Sequence, residues 1–173
     1  MARLTQRLGL TRYEADEYYK ESLAHYEKRD VEQAILTIDE AIRLLPNNAE
    51  YFAARGFFYM QDGINDKALE NFDEALKIYP YEMLAHYGRG VIAYRQKKWD
   101  EAVNHFQQAY RIDQKRPETL YYLALAFHRQ GNNPLALSYM QQADSRFEET
   151  ANRAQKRNAD KWVKALAKIL ESS

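Results

Sequence analysis

The sequence predicts an all-α solenoid of four helix–turn–helix units closed by a C-terminal capping helix. Three observations predict it: a 34-residue internal repeat, turn residues placed at that spacing, and no run that alternates like a strand. Shifting the chain by 34 residues brings small residues onto small ones in three sets. These are Ser22, Gly56, Gly90 and Ala124; Ala34, Ala68, Ala102 and Ala136; and Ala41, Ala75, Ala109 and Ala143. A bulky residue recurs as Ile38, Phe72, Phe106 and Met140. A branched aliphatic follows each alanine of the second set, as Ile35, Leu69, Val103 and Leu137. Two antiparallel helices approach closely only where small side chains let the backbones near each other, and bulky neighbours fill the remaining gaps. One such pair cannot bury its own apolar faces, so the pairs must stack.

The repeats run over 15–48, 49–82, 83–116 and 117–150, after a lead-in over 1–14 that includes the start of the first helix. Thr11 with Glu14 reads as a capping box for that helix. Pro46 and Pro80, 34 residues apart, mark the ends of second helices, and Pro117 opens the fourth repeat. Gly63 and Gly131 fall at the turn inside a helix pair, and Asn133 before Pro134 suits a cap and first turn. Over 151–173, Trp162, Leu166, Ile169 and Leu170 share one helical face, which predicts the capping helix. Nothing after Pro134 forces a break, so a helix continuous with the preceding one is the alternative.

The repeats resemble the tetratricopeptide repeat: an aromatic near the start, a small residue, a second aromatic, then alanine, a bulky residue, alanine and proline. The second, AEYFAARGFFYMQDGINDKALENFDEALKIYPYE, carries this pattern nearly in full. The first departs at His25, and the fourth carries Asp144 and Arg146 where earlier repeats are apolar, as suits a terminal unit. The resemblance covers about 136 of 173 residues. It implies a right-handed solenoid whose first helices line a concave surface that holds a protein or peptide.

The resemblance places Tyr19, Leu23, Tyr26, Phe57, Met60, Tyr87, Val91, Tyr94, Arg95, Tyr121, Leu125, His128 and Arg129 on that wall as the partner-binding groove. Tyrosine offers apolar area, a polar tip and little entropy to lose. An amphipathic helix or an extended peptide with apolar anchors fits such a surface. Asp16, Glu27 and Glu50 lie toward one end and Arg95 and Arg129 toward the other, which polarises the groove from acidic to basic. Two alternatives compete: the rings pack on one another inside the array, or the chain's own ends fill the groove. The carboxylate clamp that some family members use on acidic chaperone tails is missing, because its positions hold Tyr19, Leu23, Ala54, Leu84 and Gly88.

Lys plus Arg and Asp plus Glu number 25 each, so the surplus of positive charge usual for a nucleic-acid binder is absent. There is no cysteine, hence no disulfide or thiolate chemistry. His25, His86, His105 and His128 lack the spacing of a ligand set. Gly88 and Gly90 sit mid-helix and read as packing positions, not a phosphate loop. No cofactor and no catalytic constellation is expected. Glu21, Arg55 and Arg89 share one repeat position and predict ion pairs between repeats. The N-terminus lacks a signal-peptide pattern, and no stretch nears the roughly 20 apolar residues of a membrane span. These features predict a cytoplasmic, non-catalytic adaptor or scaffold. A chaperone for a secreted or assembling partner and a homo-oligomeric assembly protein are the alternatives.

Overall fold

A computed structural model describes the backbone of residues 2–172 and side chains from residue 9 through 172. The described residues form nine helices and no strand. They are α1 (Ala2–Glu27), α2 (Val31–Leu44), α3 (Ala49–Gln61), α4 (Asn65–Ile78), α5 (Met83–Arg95), α6 (Trp99–Ile112), α7 (Pro117–Arg129), α8 (Asn133–Glu149) and α9 (Arg153–Glu171). The chain forms two compact units that divide between Gly88 and Arg89. In the first, α1 packs on α2, α2 on α3 and α3 on α4; in the second, α6 packs on α7, α7 on α8 and α8 on α9.

The repeat positions form the core. Ala34, Ala68, Ala102 and Ala136 are fully buried, as are Ala41, Ala75, Ala109 and Ala143, and so are Ile38, Phe72, Phe106 and Met140. Ser22, Gly56, Gly90 and Ala124 are buried as well. The Ser22 hydroxyl is satisfied within its own helix, donating to the Tyr19 carbonyl at 2.6 Å. A Cβ on Gly56 would stand 2.8 Å from the Phe72 ring, and one on Gly90 would stand 2.7 Å from Phe106. The small residues thus make notches, and a ring from the second helix fills each.

The turn inside each helix pair repeats at a finer level than the glycines reveal. Gly63 and Gly131 both have φ near +81°, and Arg29 and Lys97, at the same repeat position, have φ of 64° and 62°. At all four turns the next residue donates back five positions: Asp30 to His25, Ile64 to Tyr59, Lys98 to Ala93 and Asn132 to Phe127. This is a Schellman closure, which needs a left-handed residue and takes glycine most readily. Looking for glycine finds only half of these turns; the 34-residue period finds them all.

Two expectations about helix ends change, and one alternative is resolved. Thr11 lies inside α1, which begins at Ala2, so Thr11 and Glu14 do not cap it. The cap of α8 is Asn132, whose side chain accepts from Leu135 N at 3.3 Å, one residue before the expected Asn133. The last two helices are not continuous. Ala151 is left-handed at φ 55°, and Asn152 caps α9 by accepting from Gln155 N at 3.3 Å. Asn152 N donates to Phe147 O, so the closure used inside the repeats also ends α8.

Candidate interaction surface

Burial sorts the residues expected at the groove, each unit taken by itself. In the first compact unit, Leu23 on α1 is 37% exposed. One turn on, the half-buried Tyr26 stacks on Phe58 at 5.3 Å and meets Phe57 edge-on at 5.5 Å. Glu27 and Gln61 join Tyr26, Arg29 and Val31 around an open recess of about 430 Å³. Tyr19 lies 5.2 Å from the Tyr51 ring and donates to Glu50 at 3.0 Å. Burial first, and then the neighbouring Glu50 carboxylate, raise the Tyr19 pKa well above the usual phenol value, so its hydroxyl stays a donor. Tyr51 behaves alike, donating to Asp16 at 2.5 Å.

In the second unit, Tyr94 packs edge-on against Trp99 at 5.2 Å and Tyr122 at 6.0 Å while remaining part-exposed. Arg95 and Arg129 are exposed, and the Arg129 guanidinium lies 5.8 Å from the Trp99 ring centroid. Tyr121 packs on Phe147 at 6.2 Å and Tyr122 at 5.8 Å. Burial raises its pKa, and a hydrogen bond with Trp162 opposes the rise. The His128 ring lies 5.4 Å from Trp162, and its Nδ1 is 2.7 Å from Asn133 Oδ1. Trp162 belongs to α9, so the capping helix covers part of the α7 row.

Four expected groove residues lie in the core. Met60 is 1% exposed, Val91 2%, Tyr87 7% and Leu125 8%. Each sits on a helix interior where the apolar area gained by packing exceeds what an open wall leaves dry. Their side chains are not offered to a partner in this structure. The surface-accessible set is therefore Tyr19, Leu23, Tyr26 and Phe57 in one unit, and Tyr94, Arg95, Arg129 and the edges of Tyr121 and His128 in the other.

The charged position shared by Glu21, Arg55 and Arg89 has a structural use. Arg55 Nη1 pairs with Asp39 at 2.6 Å, and its Nε donates to Asn71 at 2.7 Å, joining the first and second repeats. Arg89 Nε donates to His105 Nε2 at 3.2 Å, and His86 Nε2 lies 3.0 Å from the Pro80 carbonyl. Among the described residues no group of three or more His, Cys, Asp or Glu is placed to hold a metal. No helix among them is long and apolar enough to cross a membrane.

Comparison with known families gives three matches: a tetratricopeptide repeat model over residues 19–83, a TPR repeat model over 92–131 and a further tetratricopeptide repeat model over 118–150. The chain belongs to the tetratricopeptide repeat family. Solved structures agree on the fold. A MamA fragment (residue 41 to the end) from Desulfovibrio magneticus RS-1 is 19% identical, with a TM-score of 0.65 over 92% of this chain and 96% of that one. Pseudomonas aeruginosa PilF is 19% identical, with a TM-score of 0.68 over 92% and 86%. The Arabidopsis OM64 TPR domain is 18% identical, with a TM-score of 0.61 over 67% and 96%. No curated protein matches the sequence. Family membership supports a protein-interaction scaffold in general, a class that is typically non-catalytic.

Proposed function

We propose that this tetratricopeptide repeat protein is a non-catalytic adaptor that holds a peptide or amphipathic helix against the inward rows of its first helices. Leu23 carries the reading. It is a leucine left exposed on the inward row of α1, one turn from the part-exposed Tyr26, whose ring rests on Phe57. An exposed apolar group beside half-covered rings is where burial by a partner gains most. Glu27 lines the recess beside Tyr26 and Glu50 accepts from Tyr19 one turn before Leu23, while in the other compact unit Arg129 lies over the Trp99 ring on which Tyr94 packs. A partner segment matching the first unit's patch carries apolar anchors with basic groups.

The test begins with a partner recovered from native extract and measured by calorimetry against the purified chain. Leu23→Ala and Tyr94→Ala should each weaken binding by roughly 10- to 100-fold, the loss of a central anchor. Unaltered affinity in both variants, with helix content intact, contradicts the proposal. A chaperone or assembly role would use the same surface, and a partner that precipitates when this chain is withheld would point that way.

A further inference from the structure

The chain is neutral as a whole but not by halves. Through Gly88 it carries 16 Asp and Glu against 10 Lys and Arg; from Arg89 onward it carries 9 against 15. Most of the basic excess sits on α9, with 6 Lys and Arg against 2 Asp and Glu, whereas α1 is nearly balanced at 5 Asp and Glu against 4 Lys and Arg but gathers acidic residues into one row. On α9, Arg157, Lys161, Lys164 and Lys168 are all exposed and recur at intervals of four, three and four residues, which sets them in one row. The opposite face of α9 holds Ala159 and Leu166, both fully buried, so the helix is fixed with its basic row outward. On α1, Glu14, Glu17 and Glu21 are likewise exposed, at intervals of three and four. Beside that acidic row stand Leu10 and Tyr13, 68% and 66% exposed, the two most exposed large apolar residues among the described side chains of this helix.

The two rows match in register. Lys161, Lys164 and Lys168 repeat the three-four interval of Glu14, Glu17 and Glu21, and each set spans about 10 Å at 1.5 Å per residue. Laid parallel, the helices bring Glu14 to Lys161, Glu17 to Lys164 and Glu21 to Lys168. Local ion pairs already tie some members, Lys20 to Glu17 at 2.7 Å and Lys164 to Asp160 at 2.8 Å, but these are exposed and easily shared.

We infer that the basic row of α9 docks on the acidic row of α1 in a second copy of this chain, giving a head-to-tail, salt-sensitive self-association. A contact between unlike surfaces propagates or closes into a ring, unlike a two-fold dimer. Zero net charge at pH 7 removes the overall repulsion that would oppose it. The Leu10 and Tyr13 side chains supply the apolar area that a row of surface ion pairs lacks. The competing occupant of the α9 row is an anionic bilayer, which binds lysine clusters without any matching acidic face. The complementary row on α1 favours the second copy. This contact uses outward faces and leaves the inward rows free, so it stands or falls apart from the adaptor reading.

The test uses the full chain in sedimentation velocity at rising concentration, in 20 mM and 500 mM salt. The weight-average mass should climb with concentration at low salt and stay at one chain at high salt. A mass that does not change with concentration at low salt overturns the inference, even if every variant below misfolds. Two variants then localise the contact: K161E/K164E/K168E and E14K/E17K/E21K. Alone, each presents two rows of like charge and should associate at least 10-fold more weakly. Mixed in equal amounts, they should associate again, since each acidic row now meets a basic one. A folded mixture that remains monomeric overturns the inference. So does wild-type affinity in either variant alone, or sedimentation with phosphatidylserine vesicles by a chain that never self-associates.

Discussion

Replacing Phe72 by Ala should destabilise the protein by about 3–5 kcal/mol, the largest effect we expect of any single substitution. The ring is fully buried and fills two notches at once. A Cβ on Gly56 would lie 2.8 Å from it and one on Gly88 only 2.1 Å. Both notches are backbone surfaces of helices and cannot collapse inward to fill the space that truncation leaves, so the cavity term adds to the lost transfer free energy. Urea unfolding followed by helical circular dichroism reads the change. A loss below about 1 kcal/mol would mean that the notches close by themselves and that the ring is not the wedge described here. The effect is large beside the few kcal/mol to a dozen or so that hold an ordinary domain together.

The second large effect is at the C-terminal end. Leu166→Ala should cost about 2–5 kcal/mol, because Leu166 is fully buried and, with Ala159, is one of two α9 residues wholly inside the core. Helical stability in proteins comes mostly from tertiary packing of an amphipathic face, so α9 depends on keeping its apolar face docked. Undocking would also lift Trp162 from His128 and Tyr121. In a Trp99→Phe background, Leu166→Ala should shift Trp162 emission to longer wavelength at denaturant concentrations where the remaining helices are still folded. Emission and helix content changing together at every denaturant concentration would show that α9 is inseparable from the repeats.

Much of this architecture is legible in the sequence, because close helix packing leaves a residue-level trace. An alanine at each of 34, 68, 102 and 136 states where two backbones meet, and every one of them is fully buried. The turns were half legible. Gly63 and Gly131 announce a left-handed residue, while Arg29 and Lys97 adopt the same conformation and pay its steric cost because the surrounding closure fixes it. The sequence does not separate Asn132 from Asn133 as the cap of α8, since the two are chemically equal and only acceptance from Leu135 N distinguishes them. The break before α9 carries no proline or glycine; Ala151 turns there, between Thr150, which ends α8, and Asn152, which caps α9.

The surface was less legible than the core, for a physical reason. Helical periodicity gives the direction of a side chain but not what lies over it. Val91 and Leu125 occupy the same repeat position as Leu23, yet they are buried and Leu23 is not. His128 and Tyr121 lost part of their exposure to Trp162, a residue 34 and 41 positions further along the chain. Coverage by a later helix is a tertiary property, and no spacing within α7 records it.

The most direct measurement places a photo-activated cross-linking amino acid at Leu23, and in a second protein at Leu36 on α2, with the natural partner present. Both positions are exposed leucines, 37% and 55%, but only Leu23 lies on the first helix of its repeat, on the face proposed to meet the partner. A strong cross-link to the partner is expected from position 23, and little or none from 36. Equal yields, or a stronger product from position 36, would contradict binding at the inward face.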